Sequence, residues 1–160
     1  MIFRPLDDPR LTAEDLQVVY ALLGETTDWS AQSPGSVTTA QLIALVNDPF
    51  SVWRAVFEDE ALIGIIGIIR INWIDKVCEP VIAIVPDRRK TGAGYRIGMA
   101  FLRYVLDQLG MRRIQSTVLA NAPSRHLLEK MGFVQEGVLP ALRWKDGDYI
   151  DGILYGWRKE

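Results

Sequence analysis

The spacing of apolar residues changes period along the chain. Ile2 to Pro5 reads as a short opening strand. From Thr12, with Glu14 and Asp15 just behind it, Leu16, Val19, Tyr20 and Leu23 recur at helical spacing and stop at Gly24, which predicts a helix of about three turns. Glu25 to Val37 is polar and small, carries Pro34-Gly35, and reads as a loop bearing Trp29. Thr38 and Gln41 stand at capping-box spacing before Leu42, Leu45 and Val46, a second helix that Asn47-Asp48-Pro49 ends.

Beyond residue 50 the pattern becomes that of strands. Ser51 to Glu58 and the isoleucine-rich Ala61 to Asn72 flank an Asp59-Glu60 turn and predict an antiparallel hairpin, the second strand buried on both faces. Val77 to Val85 is a further strand, closed by Pro86-Asp87. Arg88 to Gly94 is basic and carries glycines. Ile97, Phe101, Tyr104 and Val105 then form a helical face that Gly110 ends. Ile114 to Leu119 reads as a strand, and Asn121-Ala122-Pro123 opens a short helix with Leu127, Leu128 and Met131 inward and Gly132 as its cap. Phe133 to Val138 and Tyr149 to Tyr155 are the last two strands, joined by a loop through Pro140 and the Asp146-Gly147 turn. Strands alternating with helices predict a mixed α/β sheet, and no repeat or linker divides residues 1–160 into more than one domain.

Composition narrows the class rather than the chemistry. The chain has 160 residues, 49% of them hydrophobic and 24% charged, which is ordinary for a globule with a substantial core. Eighteen basic against twenty acidic residues leave a net charge of -2, so no general basic field points to nucleic acid or anionic lipid. The single cysteine, Cys78, closes no intrachain disulfide and cannot by itself hold a metal. No secretory pattern opens the sequence, and the longest apolar stretch falls far short of the roughly 20 residues of a membrane span. The expectation is a cytoplasmic domain without a metal.

The order strand, glycine loop, helix is the one a phosphate cradle requires. Gly92 and Gly94 permit close backbone approach at a helix N-terminus, and Arg88, Arg89 and Lys90 add positive charge there, a setting suited to one diphosphate. A loop that merely turns the chain is the competing reading. A Walker-type loop is disfavoured because Tyr95-Arg96 follows Gly94, and a Rossmann fingerprint because the third glycine and the downstream acidic residue are missing.

The run Arg89-Lys90-Thr91-Gly92-Ala93-Gly94 resembles the pyrophosphate-binding signature of the GNAT superfamily of N-acetyltransferases. Asn121-Ala122-Pro123-Ser124 and Leu128-Glu129-Lys130-Met131-Gly132-Phe133 resemble the segment that ends that family's core. Glu136-Gly137, Asp146-Gly147-Asp148-Tyr149, Asp151 and Leu154-Tyr155-Gly156 resemble the branch that acetylates ribosomal-protein N-termini. The resemblance implies a mostly antiparallel central sheet flanked by helices and acetyl-coenzyme A as co-substrate. It further implies that the backbone of Ile84 and Val85 holds the pantetheine arm, that Arg89 to Gly94 with Tyr95 hold the pyrophosphate, and that Asn121 and Ser124 meet the cofactor.

Acetyl transfer needs a positioned donor, a neutral amine, and stabilisation of the charge that develops as the amine attacks. The family's usual tyrosine acid falls on Leu128, which has no proton to give. Ser124 is the alternative, against a simple helix-capping role, and Glu79 is the candidate base, against a solvated strand-end carboxylate. His126 and Cys78 read as a surface residue and a small buried hydrophobe. Trp29 and Trp73 are candidate walls of an acceptor pocket. The expected function is N-acetyltransfer to a primary amine, of a protein N-terminus or of a small molecule. An inactive coenzyme A-binding module is the alternative, and the oligomeric state is open, a homodimer included.

Overall fold

The computed structural model describes residues 1–30 and 38–159, without the side chains of 27–30 and 42. Its elements run β1 (Ile2–Pro5), α1 (Ala13–Ser30), α2 (Thr39–Asn47), β2 (Val52–Glu58), β3 (Ala61–Asn72), β4 (Val77–Ile84), α3 (Ala93–Asp107), β5 (Arg113–Leu119), α4 (Ser124–Lys130), β6 (Val134–Lys145) and β7 (Asp148–Arg158), with a 3₁₀ turn at Pro86–Arg88. The strands form one sheet in the order β1-β2-β3-β4-β5-β7-β6. Every pairing is antiparallel except β4 with β5.

Local chemistry accounts for most boundaries. The Thr38 hydroxyl accepts from the Gln41 N–H at 3.2 Å and the Gln41 carboxamide accepts from the Thr38 N–H at 2.8 Å, a complete capping box. Thr12 and Asp15 make the same reciprocal pair ahead of α1, at 2.8 and 3.1 Å. Two expectations fail at the far ends. α1 runs through Gly24 to Ser30, so Trp29 lies on its last turn rather than in a loop; Leu22 and Leu23 are buried beside Gly24, and this packing outweighs the ~1 kcal/mol helix penalty of glycine. β6 continues past Val138 to Lys145, absorbing Pro140 in an irregularity between Leu139 and Arg143 where no ladder N–H is needed.

The sheet carries two cores. On one face α3 inserts Ile97, Phe101, Leu102 and Val105 against β3, β5 and β7 together with Phe133 and Leu128; each such side chain contributes about 1.5–3 kcal/mol. On the other face α1 and α2 pack Val19, Leu22, Leu23, Leu45 and Val46 against Trp53, Ala55, Ile65 and Ala83. This second core contains no residue beyond Val85, so β5, β7 and β6 have no helix over that face among the described residues. Among them, too, no helix is long and apolar enough to cross a membrane.

Candidate active site

β4 and β5 pair only at Val77 with Arg113 and Cys78 with Ile114, then part. The Val85 N–H donates to Ile63 O at 3.0 Å, which fixes the ladder alternation: odd residues of β4 turn their backbone groups to β3, and Ile82 and Ile84 turn theirs into the gap. Across it, Ala120 N–H donates to Asp151 O, so by the same alternation Thr117 and Leu119 of β5 face the gap. The result is a V-shaped slot edged by backbone donors and acceptors. Val85 has both backbone groups engaged, since its carbonyl accepts from Arg88 N–H at 3.0 Å; the Ile84 carbonyl accepts from Arg89 Nε at 2.8 Å.

α3 starts at the open end of the slot. Its N-cap, Gly92, sits at φ 82 and has no side chain to cap the helix, and the first internal bond runs from Arg96 N–H to Gly92 O. The N–H groups of Ala93, Gly94 and Tyr95 therefore have no helical acceptor and face outward with the positive end of the helix dipole. Lys90, at φ 61, and Gly92 give the approach the alternating curvature of an anion nest. Thr91 is spent internally, its hydroxyl donating to Arg88 O at 2.7 Å.

The loop's cations are not equivalent. Arg88 lies 3.5 Å and Arg96 3.2 Å from the Glu58 carboxylate, and Arg89 holds Glu25 of α1 at 2.7 Å. Lys90 makes no ion pair among the described residues. The Tyr95 ring is covered by the Lys130 ammonium at 4.7 Å. Behind the loop, a cleft of about 440 Å³ is lined by α1, Ala61 to Ile63 and Val85 to Arg88.

On the β5 side, Asn121 is exposed at the turn before α4. Ser124 opens that helix, and its Oγ is buried with no hydrogen-bond partner among the described residues; it caps nothing. Leu128 is buried in the core. A network absent from the expectations lies under α4: the Tyr155 hydroxyl donates to Glu129 Oε1 at 2.6 Å and accepts from Arg125 Nε at 3.2 Å, while Arg125 Nη1 donates to Ala120 O at 2.9 Å. It ties the helix to the end of β5. Arg125 and Glu129, one helical turn apart, were the available sign, but their partner is about 30 residues away on β7.

Glu79 is the first residue past the last β4–β5 pair. Cys78 and Ile114 point into the α3 core, so Glu79 and Gln115 point to the opposite face, where Ile69 and Val81 beside Glu79 pack into the α1 and α2 core and β5 stands beyond its edge. One Glu79 oxygen accepts from Arg70 Nη1 at 2.5 Å and the other from Gln115 Nε2 at 3.3 Å. Trp73 stands in the turn between β3 and β4, at the closed end of the slot, with Nε1 donating to Pro49 O at 3.0 Å. The Trp29 side chain lies outside the described residues. Burial pushes the Cys78 thiol up to about 12, with the neighbouring Glu79 adding to the shift, and His126 is exposed.

The family model for the acetyltransferase (GNAT) domain matches residues 4–134. Among curated proteins, the uncharacterized N-acetyltransferase YokL of the SPbeta prophage in Bacillus subtilis is 29% identical over 107 residues, 66% of this chain and 60% of that protein. The spermidine N(1)-acetyltransferase of Vibrio cholerae is 34% identical over 101 residues, 61% of this chain and 58% of that protein. The matches thus span about three fifths of those relatives' length. The crystal structure of spermidine N-acetyltransferase from Vibrio cholerae in complex with CoA and spermine superposes with a TM-score of 0.81 at 24% identity, covering 98% of this chain and 94% of that one. At that identity the likeness speaks for the fold.

Proposed function

The chain belongs to the GNAT acetyltransferase family, and from that premise we propose that it is an N-acetyltransferase that passes the acetyl group of acetyl-coenzyme A to a primary amine within a ternary complex. The observation that carries the proposal is the parting of β4 and β5 beside the uncapped start of α3. A slot edged by backbone donors and acceptors suits an amide-bearing arm, and a helix N-terminus at its mouth suits a diphosphate. The buried, unpartnered Ser124 hydroxyl fits the same guest, since a polar atom left without a partner is retained where something else completes it.

Bound acetyl-coenzyme A supplies an activated thioester acyl group. The amides of Ala93, Gly94 and Tyr95, with Lys90, hold the diphosphate; Arg89 and Thr91 shape the loop rather than reach for the ligand. Ile84, through its N–H, and Ile82 grip the arm, and Asn121 meets it from the turn before α4. Val85 contributes by ending the strand. Ser124 donates a hydrogen bond to the leaving sulfur. Glu79 draws the amine to the edge of the helix-free face and takes its proton through a water, a transfer made easier where the acceptor is an α-amine of ordinary pKa about 7.7–8.0. Trp73 walls the acceptor side, with Trp29 assigned there from sequence. Donor and acceptor thus approach from opposite faces of the sheet.

The acceptor is a primary amine. A small amine is supported by relatives named for spermidine, and a protein N-terminus by the segments from Glu136 to Gly156. Purified protein mixed with acetyl-coenzyme A and a panel of amines and peptides is expected to release thiol. Cofactor binding without acetylation of any acceptor would instead make it an inactive binding module.

A further inference from the structure

We propose that Arg125 and Tyr155 are positioning residues: together they clamp the turn from Ala120 to Ser124 to the sheet, so that Asn121 and Ser124 meet the cofactor in one fixed geometry. This role rests on the proposed transferase function and concerns what keeps its cofactor contacts in place. Asn121 and Pro123 are exposed, and two main-chain bonds run along the turn, from Ala122 N–H to Leu119 O at 2.9 Å and from Arg125 N–H to Ala122 O at 3.2 Å. Arg125 adds a cross-brace, its Nη1 donating to Ala120 O at 2.9 Å. One residue thus grips the turn twice, by its main chain at Ala122 and by its side chain at Ala120. Asn121 lies between the two gripped carbonyls, and Ser124 is next to the residue that grips them. The Ala120 N–H donates to Asp151 O at 2.8 Å, which pins the same residue to β7.

Tyr155 aims the guanidinium. Its hydroxyl accepts from Arg125 Nε at 3.2 Å and donates to Glu129 Oε1 at 2.6 Å. Tyr155 is fully buried in β7, opposite Ser116 of β5, so the point to which Arg125 is tied moves only with the sheet. A half-buried arginine has many rotamers to lose, and a phenol already in place selects one of them. The planar guanidinium reaches the Tyr155 and Ala120 oxygens at once through one rigid fork, which an ammonium cannot do. α4 itself is seated against α3: a Cβ at Gly98 would fall 2.8 Å from Met131 Sδ, and one at Gly94 3.4 Å from Leu127 Cδ2. That packing fixes the helix, and the Arg125 side chain fixes the turn ahead of it. Groups that meet a bound reactant must be held to a fraction of an ångström, which makes such a brace part of the site.

Isothermal calorimetry on the full chain, with coenzyme A as the probe, tests this in wild type and Asn121→Ala, and in Arg125→Lys and Tyr155→Phe alone and combined with Asn121→Ala. Arg125→Lys and Tyr155→Phe are each expected to weaken coenzyme A about three- to tenfold, and Asn121→Ala about tenfold. Each combined variant is expected to bind within about twofold of Asn121→Ala, because the clamp acts through a side chain no longer there. Wild-type affinity in Arg125→Lys, Tyr155→Phe or Asn121→Ala would overturn the proposal. So would losses that multiply in the combined variants, the mark of a general loosening of the fold. Tyr155→Phe keeps its ring in the core and carries the same cycle should Arg125→Lys fail to fold. Thiol release and acetylated product in parallel samples report on the transferase function separately. Coenzyme A binding without transfer by wild type would sink that function and leave the clamp measurable, whereas no binding by wild type would sink both.

Discussion

Ser124 is the residue on which chemistry and stability part. Its hydroxyl makes no bond among the described residues, so Ser124→Ala removes an unsatisfied buried group and is expected to leave the melting temperature unchanged or slightly raised. The same change is expected to lower kcat by about 10- to 100-fold, with little effect on acetyl-coenzyme A affinity, because a hydrogen bond to the departing sulfur strengthens as charge develops there in the transition state. Steady-state kinetics and cofactor titration separate the two effects; an unchanged kcat would remove Ser124 from the mechanism. Cys78 gives the opposite kind of test. With its thiol pushed up to about 12 by burial, it is expected to resist alkylation at pH 8 in the native protein and to react once per chain in denaturant. Residue identities near the loop were legible in the sequence, but their pairings were not. Arg89 meets Glu25 from 64 residues away, and Arg88 and Arg96 share Glu58, so of three adjacent cations only Lys90 is left outside an ion pair among the described residues.

The N-terminus of α3 is the element to which the proposed function assigns the cofactor's diphosphate. Gly92→Val is expected to cost about 1–2 kcal/mol in the left-handed conformation and to turn the first amides away from the ligand, abolishing coenzyme A binding in a thermal-shift assay. Gly94 is less constrained: a Cβ there would meet Leu127 Cδ2 at 3.4 Å, ordinary contact, so Gly94→Ala is expected to fold normally. The capping boxes of α1 and α2 could be read from four residues each because their partners are three positions apart. The run of α1 beyond Gly24 and the continuation of β6 through Pro140 could not, since both depend on tertiary contacts that override local propensity. The parting of β4 from β5 is likewise invisible in either strand's pattern. Both segments read as strands, and the slot exists only in how few residues they pair.

Across the whole molecule, ion pairs tie distant strands and make stability depend on acid. The Arg113 guanidinium holds the Glu136 carboxyl below its ordinary value, fastening β5 to β6 across Gly156. A carboxylate with a depressed folded pKa contributes stability that is present above its ordinary value and lost as pH falls through the folded one. Wild type is therefore expected to exceed Glu136→Gln by up to about 1 kcal/mol in urea unfolding at pH 7, and the difference is expected to vanish below that folded pKa. An equal difference in strong acid would assign the effect to packing. The mixed, mostly antiparallel sheet was legible as a class from the alternation of strands and helices; the helix-free face over β5, β7 and β6 was not, because it depends on where α1 and α2 stop covering the sheet. On the function we propose, donor and acceptor reach one point from two sides, through the slot and over that face. The most direct measurement of that claim is thiol release from acetyl-coenzyme A with amine acceptors, with the acetylated amine identified by mass spectrometry, in wild type and in Gly92→Val. The account predicts thiol and N-acetylated amine in equal amounts from wild type and neither from the variant; tight cofactor binding by wild type with no acetylated product from any amine would contradict it.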